Sequence, residues 1–78
     1  MQSQRFELIV DGMPIIVNSK PYEFNAEKRF LVSYNGSEEY VFTWDYELSR
    51  LAAIGDKAED IPVVIENAIA AKLQSINS

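Results

Sequence analysis

Apolar residues recur along this chain in two rhythms, every second position through the first two thirds and steps of three and four near the end. Ile61, Ile65, Ala68, Ile69, Leu73 and Ile76 carry the second rhythm. At 100° per residue they fall within a stripe of about 140°, which predicts one amphipathic helix over 60–76. Lys72 lies inside that stripe, where its methylenes can cover apolar surface while the ammonium stays in water. Asp60 is the expected N-cap, and Pro62 falls in the first turn, where a missing amide hydrogen costs little. Val63, Ala70 and Ala71 are expected on the outer side of this helix.

The period-two pattern begins with residues 6–10 and 13–17, separated by Asp11-Gly12. Asp-Gly between two apolar runs favours a two-residue type I′ turn, because both turn residues take positive φ. Such a turn sets Val10 opposite Met13, Leu8 opposite Ile15 and Phe6 opposite Val17, with all six side chains on one sheet face. Ile9, Pro14 and Ile16 fall on the other face. Pro14 cannot donate to a ladder and is expected at an edge or bulge.

Asn18-Ser19-Lys20-Pro21 reads as a turn, followed by a short strand in which Tyr22, Phe24 and Ala26 alternate with polar residues. Lys28-Arg29 reads as a polar break before Phe30, Val32 and Tyr34. Past Asn35-Gly36, the series Tyr40, Phe42 and Trp44 alternates with Val41 and Thr43. A two-residue Asn-Gly turn would mix polar and apolar positions on one face, whereas a longer loop brings Val32 opposite Tyr40 and Phe30 opposite Phe42. The longer loop, or a bulge, is therefore expected. Residues 45–55 fit either a helix capped by Asp45 and ended by Gly55, or a turn at Asp45-Tyr46-Glu47 followed by a strand. The strand is favoured because it continues the meander without a crossover. A charged loop then leads to the helix.

These elements predict a single α+β domain: an antiparallel β-meander of five to six strands with one C-terminal amphipathic helix packed on one face. With 78 residues, 47% of them hydrophobic, the chain should fold around a core that supplies only roughly 3–5 kcal/mol of net stability. Association with a second copy would add to that.

Composition removes more chemistry than it adds. Without cysteine or histidine, disulfides, thiolate or imidazole metal sites, cysteine nucleophiles and histidine bases are excluded. No cofactor is expected, and no phosphate-binding glycine loop is present. The net charge of −5 repels phosphate backbones and makes nucleic acid a poor partner. No apolar run has the length of a signal peptide core or a membrane span, so a cytoplasmic protein without membrane association is expected.

Several constellations have a functional and a structural reading. The aromatics Tyr22, Phe24, Phe30, Tyr34, Tyr40, Phe42 and Trp44 resemble a base-stacking platform, but period-two aromatics are what a half-buried sheet requires, so core is the expected role. Arg5, Lys20, Lys28 and Arg29 are the residues from which a local cationic patch would be built. Asp56, Glu59 and Asp60 offer oxygen donors for a hard cation without the spacing of an EF-hand loop, and a solvated loop explains them. Glu38-Glu39 and the pair Asp45 and Glu47 are common features of an acidic surface, with no apolar pocket in evidence to raise a carboxyl pKa. Asn35-Gly36-Ser37 matches a glycosylation acceptor, but turn chemistry accounts for it.

What the single helix leaves unexplained is apolar residues on the second sheet face, Ile9, Ile16, Leu31 and Val41, and on its own outer side, Val63, Ala70 and Ala71. Were they contiguous they would mark an interface. The sequence therefore points to a non-enzymatic protein-interaction module that pairs with a protein partner or with itself as a homodimer, through this face or a free strand edge. The alternative is a small-ligand or single-stranded nucleic-acid binder using sheet aromatics.

Overall fold

The computed structural model describes residues 3–77. Among them run five strands, β1 (Gln4–Val10), β2 (Met13–Phe24), β3 (Glu27–Tyr34), β4 (Tyr40–Asp45) and β5 (Arg50–Ile54), then a 3-10 helix (Asp56–Asp60) and the helix α1 (Val63–Ile76). Each strand pairs antiparallel with its sequence neighbour, in the order β1-β2-β3-β4-β5. The sheet curls into a half-barrel, and α1 packs against both of its edge strands, β5 and β1. This is the α+β meander with a C-terminal helix that the apolar rhythms predict.

The first hairpin has the expected register, Val10 with Met13, Leu8 with Ile15 and Phe6 with Val17. Asp11 (φ 52°) and Gly12 (φ 79°) both take the left-handed conformation of a type I′ turn. The second expected register also forms, with Val32 opposite Tyr40 and Phe30 opposite Phe42, across a connection over 35–39. Asn35 does more than turn the chain. Its backbone amide donates to the Ile16 carbonyl, and its Oδ1 accepts the Ile16 amide at 2.8 Å, so one residue extends the β2–β3 ladder by a rung.

One face of every strand supplies the core. Val17, Val32, Phe42, Ile69 and Leu73 are fully buried, joined by Ile15, Phe30, Tyr40, Leu51 and Ile61. Burial of each large side chain stabilises the fold by about 1.5–3 kcal/mol relative to exposure. Met13, at the hairpin tip, remains 61% exposed and lies outside this cluster.

The structure corrects several local expectations. Asn18-Ser19-Lys20-Pro21 is not a turn but the middle of a twelve-residue β2. Ser19 is buried in line with Val17, while Asn18 and Lys20 point out, so the inward position is small and polar but the alternation is unbroken. Pro21 is tolerated because, with Tyr22 and Arg29 as a hydrogen-bonded pair, its nitrogen faces away from β3, beyond the described β1 pairs. The turn comes later, at Asn25 (φ 51°) and Ala26 (φ 63°), so Ala26 is a turn residue and Lys28-Arg29 lies within β3.

Within 45–55 the strand reading holds, with the turn displaced: Asp45 still pairs with Arg50, and the chain reverses over 46–49. Asp45 Oδ1 accepts the amides of Glu47 (2.9 Å) and Leu48 (3.1 Å), and Ser49 takes a positive φ. Asp45 caps a turn, not a helix.

Helix α1 starts at Val63 with Pro62 as N-cap and no side-chain cap, so Asp60 ends the 3-10 helix instead. The cause is Pro62 itself, which holds Ile61 extended (φ −87°, ψ 123°) and bars the helix from reaching it. The buried arc is also turned toward Ala70, which is 2% exposed and part of the core, while Ile76 is 38% exposed. Ala70 is thus not on the outer side. Its small side chain allows close approach to the sheet, and the rotation brings Glu66 to the β5 edge.

Candidate functional site

A two-residue turn fixes which backbone groups of β1 face β2. Val10, Leu8, Phe6 and Gln4 lie in hydrogen-bonded pairs, so the amides and carbonyls of Arg5, Glu7 and Ile9 point outward from the sheet. Among the described residues nothing caps them. All three side chains are exposed, Ile9 at 66%. β1 is an open edge.

The opposite edge is partly covered. On β5 the outward residues are Leu51 and Ala53. Glu66 of α1 places Oε2 3.0 Å from the Ala53 amide, and the Arg50 guanidinium donates to the Leu51 carbonyl at 2.9 Å. Two side chains occupy a donor and an acceptor that another strand would otherwise use.

The apolar residues singled out from the sequence do not form one surface. On the convex sheet face Leu31 pairs with Val41 and Val41 with Ile54, giving one half-buried patch. Ile9 pairs with Pro14 at the far corner, beside Ile16. Between the two groups runs a polar row, Arg5, Asn18 and Ser33. Val63 and Ala71 are exposed on α1, which lies against the opposite side of the sheet, and Ala70 is in the core. The cations are likewise divided: Lys28 shares the Phe30 side of β3, whereas Arg5, Lys20 and Arg29 are on the convex face, Arg29 paired with Glu27 at 3.2 Å.

The aromatics split in the same way. Phe30, Tyr40 and Phe42 are buried, and Tyr34 stacks on Tyr40 at 6.1 Å. Phe24 is exposed on the convex side, with the Arg29 guanidinium 4.5 Å from its ring centre. They form no continuous stacking platform. Trp44, a member of that aromatic series, is the exception, and the sequence does not single out its set of neighbours at this site. With Lys28, Phe30, Leu51, Gln74 and Asn77 it lines a cavity of about 230 Å³ at the end of the half-barrel where α1 stops. Only the pairing of three strands, β3, β4 and β5, with the helix C-terminus brings these six together.

The acidic groups have local partners or none. Glu38 accepts from Lys57 at 3.0 Å, which raises the Lys57 pKa above its ordinary value. The Tyr40 phenol is also raised, chiefly by burial, with the charges of Tyr34, Glu38 and Asp60 adding. Among the described residues no group of three or more acidic residues is placed to hold a metal ion, and no helix is long and apolar enough to cross a membrane. No protein-family model, curated protein or solved structure matches this chain.

Proposed function

We propose that this protein is a non-enzymatic interaction module that self-associates by adding β1 to β1 of a second copy, continuing the sheet across a two-fold axis. The observation that carries this reading is the open β1 edge, whose outward residues alternate in charge. In an antiparallel pair centred on Phe6, Arg5 of each copy lies opposite Glu7 of the other, and the outward amides and carbonyls of both strands find partners. Two ion pairs then form in a register that suits the backbone. Centring on Glu7 would oppose two carboxylates, so charge selects the first arrangement.

A strand of this length buries less than the ~1,200 Å² typical of stable specific interfaces, which makes the dimer a weak and reversible one. Sedimentation velocity over a concentration series tests it. The sedimentation coefficient should rise with concentration, Glu7→Arg should abolish the rise, and the double exchange Arg5→Glu with Glu7→Arg should restore it. A coefficient that stays constant up to the solubility limit would overturn the reading.

A further inference from the structure

We infer that the cavity at the open end of the half-barrel binds a small monocarboxylate with a flat apolar body. Its walls are Phe30, Trp44 and Leu51, and its polar groups are Lys28, Gln74 and Asn77. In a chain of net charge −5 the one charged residue lining this cavity is a cation. Lys28 has no carboxylate partner among the described residues, and its Nζ stands 5.5 Å from the centre of the Phe30 ring, at the boundary between wall and water. An ammonium there supplies donors to an anion, while the half-buried Trp44 ring is the lining surface left to receive an apolar body, since Phe30 is 3% exposed beneath the ammonium.

The remaining polar groups refine the class. Asn77 already spends Nδ2 on the Leu73 carbonyl at 2.9 Å and on Gln4 Oε1 at 3.5 Å. That leaves Lys28, the amide of Gln74 and the indole N–H of Trp44 as donors, of which only Lys28 carries a charge, and one charge suits one carboxylate. A phosphate dianion would bring a second charge with no cation to meet it. The size is also limiting: about 230 Å³ lies below the ~300–1,000 Å³ of drug-sized sites, which suits a single ring. None of the outward residues of the β1 edge lines this cavity, so the site is independent of self-association.

Phenylacetate and its neutral analogue phenylacetamide test the assignment. Trp44 is the one tryptophan of the chain, so its emission reports on the site directly, and NMR shifts of its indole and of the Lys28 side chain locate the ligand. Phenylacetate should give a saturable change, with phenylacetamide and the Lys28→Met variant each weakening binding by about three- to tenfold. Lys28→Arg should keep most of the affinity, and urea melts of both variants should match the parent. Absence of a saturable change up to the solubility limit would overturn the site. Equal binding of acid and amide, or of parent and Lys28→Met, would overturn the carboxylate assignment.

Discussion

The two edges of this sheet face the same hazard and are treated differently. β5 is five residues long, and one of its outward amides and one of its outward carbonyls are taken by Glu66 and Arg50. β1 is seven residues long and leaves the outward amides and carbonyls of Arg5, Glu7 and Ile9 unpaired among the described residues. The difference follows from where the helix enters: after β5 the chain turns through the short 3-10 helix and returns as α1, whose N-terminal half brings Glu66 to that edge. A short covered edge beside a long bare one is how a sheet directs association to one side.

The largest test removes the cover. Leu73→Ala should destabilise the fold by about 2–5 kcal/mol in urea titrations, because its side chain is fully buried between helix and sheet. It should also increase light scattering, since a loosened α1 leaves β5 bare as well. Proline at an outward position separates the two edges more directly. Ala53→Pro deletes the amide that Glu66 accepts from, and should cost at least about 1 kcal/mol. Glu7→Pro deletes an amide that is unpaired in the monomer, so urea stability should stay within about 1 kcal/mol while concentration-dependent sedimentation disappears.

Glu66→Gln comes next, with a loss of a few tenths to about 1 kcal/mol as a charge-assisted hydrogen bond becomes a neutral one. Faster exchange of the Ala53 amide would register it, and unchanged exchange would show that the edge is not sealed by this residue. The smallest effect is alkaline. Lys57 and Tyr40 both hold their protons more tightly in the folded chain than at their ordinary values of 10.5 and 10.0. Their contribution is therefore complete below those values and lost as pH rises through the folded ones. Because the Lys57–Glu38 pair is exposed, the fall in thermal midpoint should be slight, and Lys57→Gln, which removes one of the two groups, should make it smaller.

How much of this is legible in the sequence depends on how far a signal reaches. Asp11-Gly12 and the face-matching at Asn35-Gly36-Ser37 are short-range signals, and both give the register of a whole strand pair. Ser19, Lys20 and Pro21 mislead because their composition is that of a loop, while their positions preserve the inward and outward alternation of β2. Asn25-Ala26 hides a turn, since Asn25 tolerates positive φ but alanine after it is strained there and does not announce one. The rotation of α1 toward Ala70 cannot be read from periodicity, because alanine fits the buried and the outer side of a helix alike, and the bond it permits, from the Ala53 amide to Glu66, joins positions thirteen apart. The cavity is less legible still, assembled as it is from β3, β4, β5 and the end of α1.

Strand pairing between sequence neighbours also has a kinetic consequence. Four hairpins can form from local contacts, each closing a short loop, and chains of this kind fold quickly. The slow event is closure of the helix across the sheet, which joins Gln4 to Asn77, 73 positions apart. Until that event both edges are bare, so the moment at which the chain is most exposed to wrong partners is set by the docking rate of α1.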